Sequence, residues 1–119
     1  MKIAVPVKFQ RDNPPLSPLF GHAKWFAFID DGKITIETNP HDGGLAVVEW
    51  LLHRGVDAVI TQHIGIKPFA LLSQNGVAIF YPGEGRILLS DALEGFRKGN
   101  LQAIDQNNIE KFVRHQGHA

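Results

Sequence analysis

The stretch Asp57-Ala58-Val59-Ile60-Thr61-Gln62-His63-Ile64-Gly65-Ile66-Lys67-Pro68-Phe69 reads as a short buried strand, a turn and the start of a helix. Ala58-Val59-Ile60 is a brief apolar run with β-branched residues, the pattern of a central strand covered on both faces. Gly65 permits a turn, and Pro68 suits the first turn of a helix, where a missing N–H costs nothing. His63 falls in that turn. A strand that ends at a helix N-terminus is where open α/β sheets hold ligands, because unpaired N–H groups and the positive end of the helix dipole face the crevice.

On the N-terminal side of this stretch, Leu45 to Arg54 predicts a helix. Leu45, Val48 and Leu52 form one stripe, Val47 and Leu51 widen it, and Gly55 supplies the residue that ends it. On the other side, a helix through Leu71-Leu72 stops at Asn75-Gly76. A strand follows at Val77 to Phe80, then a turn at Pro82-Gly83-Glu84-Gly85. Ser90 is the expected N-cap of a helix over Asp91 to Lys98, whose acidic residues come early and basic residues late, and Gly99 ends it.

The N-terminal third reads as a meander. Lys2 to Val7 is an apolar, weakly alternating strand of central type, with Pro6 ending its pairing on one side. Phe9 to Pro18 is a proline-rich loop of the length that more often serves function than idle connection. Trp25 to Asp30 is an aromatic strand, Asp31-Gly32 a hairpin turn, and Lys33 to Thr38 an alternating edge strand. The order is thus β-β-β-α-β-α-β-α, a mixed five-stranded α/β sheet with helices on its faces, forming one domain over 1–101. The polar stretch 102–119 is a tail in which Ile109, Phe112 and Val113 predict a short helix that packs back.

Composition limits the function. The 119 residues hold 12 Lys+Arg and 12 Asp+Glu, and no basic run marks a nucleic-acid partner. There are no cysteines, so disulfides and thiolate ligation of a metal by this chain are excluded. Neither a signal peptide nor a membrane-spanning stretch is expected, which gives the cytoplasm as the compartment.

Three histidines, His22, His41 and His63, fall in loops beside glycines, and loops from different parts of such a sheet converge at one end. Neutral imidazoles bind several transition metals. Gly43-Gly44 starts a helix directly after His41, and N–H groups there suit an anion or an anionic metal cluster. His53, at a helix end, reads as a partner for the negative end of the dipole. His115 and His118 lie in the tail, which offers a metal no fixed geometry. No serine sits in a G-x-S-x-G elbow, Gly83-Glu84-Gly85 lacks the lysine of a phosphate loop, and the first strand carries no carboxylate for a two-metal nuclease.

Several segments together resemble the dinitrogenase iron–molybdenum cofactor biosynthesis family. They are Met1 to Val7, the S-P-L-F-G-H-A of Ser17 to Ala23, H-D-G-G at His41 to Gly44, G-V-D-A-V-I at Gly55 to Ile60, H-I-G-I-K-P-F at His63 to Phe69, and G-V-A-I-F at Gly76 to Phe80. The resemblance extends to about Leu101. It implies a ribonuclease-H-like fold and a non-catalytic carrier of an iron–sulfur or iron–molybdenum type cluster. It implies cluster donor and acceptor proteins as partners, with the chain a monomer or weak homodimer. The cofactor-binding residues so implied are His22, His41, Gly43, Gly44, His63 and Gly65, with His22, His41 and His63 as metal ligands. A metal-free interaction or regulatory module of the same fold is the alternative, and a hydrolase using a bound divalent ion is a third.

Overall fold

A computed structural model describes residues 1–113. The elements are β1 (Lys2–Val7), β2 (Trp25–Asp30), β3 (Lys33–Thr38), α1 (Gly44–His53), β4 (Ala58–Ile60), α2 (Ile66–Gln74), β5 (Ala78–Tyr81), α3 (Leu89–Arg97) and β6 (Gln102–Ala103). Short 3₁₀ turns lie at Phe20–His22 and Ile109–Phe112. One mixed sheet has the order β3-β2-β1-β4-β5-β6. β1, β4 and β5 run parallel, while β2, β3 and β6 are antiparallel to their neighbours.

The sheet has six strands where the sequence predicts five. The added strand, β6, pairs Gln102 with Tyr81 and Ala103 with Phe80. Both of its residues are exposed, so it is held by main-chain pairing and leaves no hydrophobic period to read. The chain then returns to the sheet: Ile104, Ile109 and Phe112 are buried in the same core as α1 and α2. His115 and His118 lie outside the described residues.

Each face of the sheet carries its own core. α1 and α2 cover one face with Val47, Val48, Leu51, Phe69 and Leu72 against Ala4, Phe26, Phe28 and Val59. α3 covers the other with Leu89 and Ala92 against Val5, Val7, Ala27 and Ile60. β1 is therefore covered on both sides, which is why its apolar residues do not alternate with polar ones. Its ladder to β4 is recorded at Ile3↔Ala58 and Ala4↔Val59, short of Pro6, while its pairing with β2 runs on to Val7↔Trp25. The β2–β3 hairpin turns on Asp31 (φ 52°) and Gly32 (φ 79°), two left-handed residues as a tight two-residue loop requires.

Two local expectations are corrected. The buried stripe of α1 is Val47, Val48 and Leu51, and Leu45 is 47% exposed. The helix begins at Gly44, and its entry holds Leu45 clear of the sheet. Ser90 is not the cap of α3: the helix starts at Leu89, and the Ser90 N–H donates to Asn13 Oδ1 at 2.8 Å. The Leu89 N–H donates to the Pro14 carbonyl at 2.9 Å. Loop 9–18 thus supplies the helix with its missing partners, and Pro14, Pro15 and Leu16 are buried beneath it. Asn13 has φ 44°, a conformation that asparagine tolerates better than alanine. Asn13→Ala is expected to cost about 1–2 kcal/mol through the lost cap and backbone strain. Asn13→Gly should cost less in chemical denaturation because it keeps the backbone relaxed, and equal losses would rule out the strain component.

A partly exposed fork closes the outer end of the first core. Arg54 donates to both Glu37 carboxylate oxygens at 2.5 and 2.6 Å and lies over the Phe28 ring. The hydrogen bonds from Arg54 hold the Glu37 carboxyl below its ordinary range.

Candidate functional site

The turn after β4 is clamped from both sides. The His63 N–H donates to the Pro18 carbonyl at 3.0 Å, and the His63 carbonyl accepts from the Phe20 N–H at 3.1 Å. The Thr61 hydroxyl also donates to the His63 carbonyl, at 3.2 Å. On the other side, the Ile64 N–H donates to the Phe112 carbonyl at 3.1 Å. These bonds satisfy backbone groups that a buried turn would otherwise leave unpaired, and they fix where the His63 ring sits. The C-terminal stretch that returns to the sheet is thus part of the support of this turn.

Opposite it stands the 3₁₀ turn Phe20–His22. Phe20 is only 1% exposed and meets Phe26 edge-on, with ring centroids 5.6 Å apart. Burying Phe20 leaves His22 at the surface. Gly21 backs directly onto the start of α1: a Cβ placed there would sit 3.0 Å from the Gly44 nitrogen. Gly44 in turn abuts the Pro68 ring of α2 so closely that a Cβ would collide with Pro68 Cγ. Glycine is required at 44 for close approach, and at 43 for φ of 97° at the entry to α1.

Phe20, His22, Gly44, His63, Gly65 and Pro68 line the resulting cleft, of about 190 Å³. The N-termini of α1 and α2 both open on it. Neither helix has a side-chain cap, and neither has an acidic residue in its first turn. Their leading N–H groups and the positive ends of two helix dipoles therefore face the cleft without internal compensation. One side-chain atom of a wall residue is also unsatisfied. His63 Nδ1 is buried and has no hydrogen-bond partner among the described residues. A buried nitrogen left unpaired costs free energy unless something supplies a partner.

The family resemblance implies His22, His41 and His63 as one metal-binding set. His22 and His63 do share the cleft, with Gly44 and Gly65 beside them. His41 stands apart: its N–H donates to Asn39 Oδ1 at 2.9 Å and its exposed ring lies 5.9 Å from the Trp50 ring. Trp50 itself packs edge-on to Phe26 and Phe28, so the exposed His41 lies beside an anchored ring of α1. Among the described residues no group of three or more His, Cys, Asp or Glu side chains is placed to hold a metal ion. The structure thus brings His22 and His63 to one cleft and does not place His41 in its lining. Gly43 stands at the entry to α1 with φ of 97°. His53 does sit at a helix end, with its Nδ1 3.1 Å from the Glu49 carbonyl. Sequence reasoning missed Gly21, Phe20 and Pro68 as the residues that shape the cleft, although F-G-H and K-P-F both carried the signal.

Residues 1–99 match the family described as dinitrogenase iron–molybdenum cofactor, and the chain belongs to this family. It is 29% identical over 115 residues to an uncharacterized protein of Methanocaldococcus jannaschii, covering 88% of this chain and 92% of that one. Among solved structures it is similar to the apo form of the orange protein from Desulfovibrio gigas. The TM-score is 0.74 at 22% identity, over 87% of this chain and 92% of that one. It is also similar to a NifB-named protein from Thermotoga, with a TM-score of 0.75 at 22% identity, over 98% of each chain. Those likenesses establish the fold. No helix among the described residues is long and apolar enough to cross a membrane.

Proposed function

We propose that this member of the dinitrogenase iron–molybdenum cofactor family binds and carries an anionic metal–sulfur cluster, of iron–sulfur or iron–molybdenum type, without catalysing a reaction on it. Cluster donor and acceptor proteins are the partners this role requires. We read the β3-β2-β1-β4-β5 portion of the sheet as ribonuclease-H-like, extended by β6. One observation carries the functional reading: two uncapped helix N-termini meet at one cleft, with His22 and His63 on its walls. Such a site favours an anion over a bare cation, since each helix presents roughly half a positive charge and several N–H donors. With no cysteine in the chain, the cargo is held by imidazoles, main-chain donors and shape. Attachment of that kind is reversible, as handing a cluster on demands.

The test is anaerobic loading. Apo-protein is mixed with a cluster donor, separated by gel filtration, and assayed for iron, molybdenum and visible absorbance. Wild type should retain cluster, while a His22→Ala/His63→Ala variant should retain at least about tenfold less, equivalent to 1.4 kcal/mol of binding. His41→Ala should load like wild type, because its ring lies on Trp50. If wild type and the double variant retain equally little metal, the carrier reading falls.

A further inference from the structure

We propose that the crevice between the carboxyl ends of β4 and β5 is a second binding site, for a tetrahedral oxyanion or a small molecule that ends in one. The topology points there first. β4 feeds α2, whose Phe69 and Leu72 pack on one face of the sheet, and β5 feeds α3, whose Leu89 and Ala92 pack on the other. Two adjacent parallel strands whose following helices leave to opposite faces open a gap at their carboxyl ends, and here the gap adjoins the β1–β4 boundary, where the strand order reverses and open α/β sheets take ligands. In this chain the gap is a cavity of about 270 Å³ on the far side of His63 from the cluster cleft. That space is ample for a phosphate-sized ion with some of its water.

Its lining has the chemistry of an anion site. Lys8, from the end of β1, and Arg86, from the loop after β5, both border it. Neither cation forms an ion pair among the described residues. Glu84 is the acidic residue on the rim, and burial together with the neighbouring Glu84 carboxylate raises the pKa of the Tyr81 hydroxyl. The guanidinium offers a planar pair of donors to two oxygens of a tetrahedral anion, and the ammonium adds a compact charge. The loop that carries Arg86 is fixed from inside the protein. Gln62 is 3% exposed, and its Nε2 donates to the Gly83 carbonyl at 2.9 Å and the Gly85 carbonyl at 2.8 Å. Both amide hydrogens are spent on that loop, which makes Gln62 a positioning residue. The glycines at 83 and 85 therefore serve this tether, and the anion is met by side chains. His63 forms the wall between the two spaces, so its unpartnered Nδ1 is within the one group they share.

The experiment follows backbone amide resonances of ¹⁵N-labelled protein while phosphate, sulfate or molybdate replaces chloride at fixed ionic strength. Saturable shifts centred on Lys8, Gln62, His63, Gly85 and Arg86 are expected for at least one of the three, and the anion that saturates earliest identifies the ligand class. Lys8→Gln and Arg86→Gln should each weaken binding by about threefold to tenfold, the range for exposed charge contacts, and together abolish saturation. Both residues are exposed, and the same spectra report whether the variants are folded. His22→Ala should leave the titration unchanged, which separates this site from the cluster cleft. The proposal is overturned if shifts grow linearly and scatter over surface cations, if the double variant titrates like wild type, or if the shifts centre on His22, Gly44 and Gly65 of the cluster cleft.

Discussion

Gly44→Ala is expected to destabilise the protein by about 2 kcal/mol and to abolish cluster loading. The added methyl would collide with Pro68 Cγ, and a proline ring has no rotamer with which to move aside. Relief requires α1 and α2 to separate where their N-termini approach, which is the geometry that brings two dipoles to one cleft. The backbone at 44 is an ordinary helical one, so alanine there gains back only the roughly 0.5–1 kcal/mol that it enjoys over glycine in a helix. Gly43→Ala is the contrasting change. Its Cβ would meet nothing within 4 Å, but φ of 97° strains any residue with a side chain. The pair separates volume from backbone strain at adjacent positions. A drop of roughly 4–8 °C in Tm per kcal/mol makes both measurable by calorimetry. Gly44→Ala/Pro68→Ala should recover most of the loss, because removing the ring removes the obstacle. If Gly44→Ala melts with wild type, or if Pro68→Ala fails to rescue it, the close approach of the two helices is not what shapes the cleft.

Most of the fold was legible because its elements announce themselves through burial. β2 and β3 were read to the residue from aromatic content, Asp31-Gly32 and the alternation of Lys33 to Thr38. Ala58-Val59-Ile60 declared a central strand because both of its sides face a core, and it has neighbours on both edges. Legibility failed where structure rests on partners distant in sequence. The cap of α3 comes from Asn13, 77 residues away, and no local window contains that information. β6 fails for the same reason: Gln102 and Ala103 form a strand only because β5 offers them an edge.

The site was legible in part, and for a related reason. A turn after a central strand and a glycine before a helix are local signals, so Gly44, His63 and Gly65 could be placed at one end of the sheet. Whether an imidazole points into the cleft or away from it depends on what it packs against. Trp50 settles that for His41, and Phe20 settles it for His22. Proximity of loops predicted a shared neighbourhood. It could not predict that an aromatic residue in α1 would take one histidine out of it.

Phe20→Ala should have the largest effect on stability of any change near the cleft, about 3–5 kcal/mol. The ring is 1% exposed and lies edge-on to Phe26, which in turn meets Trp50 edge-on at 5.7 Å. Removing it deletes a large buried surface and leaves a cavity that neighbours of this size cannot fill without moving. The loss is a large fraction of the 5–15 kcal/mol by which a domain of this kind is stable. Phe9→Ala is the comparison, since Phe9 is 42% exposed and carries Arg11 over its ring, a contact worth about 0.5–1 kcal/mol at an exposed site. The substitution at 20 leaves the main-chain bond from its N–H to the His63 carbonyl chemically possible, but removes the anchor that fixes the turn. His22 would then sample many positions, and cluster retention should fall even at temperatures where the variant is folded. Chemical denaturation measures the first effect, and loading at low temperature measures the second. A Phe20→Ala protein that loses less than about 1 kcal/mol would show that the 3₁₀ turn is held from elsewhere. One that loses stability but loads normally would show that His22 does not need a fixed turn to hold the cargo.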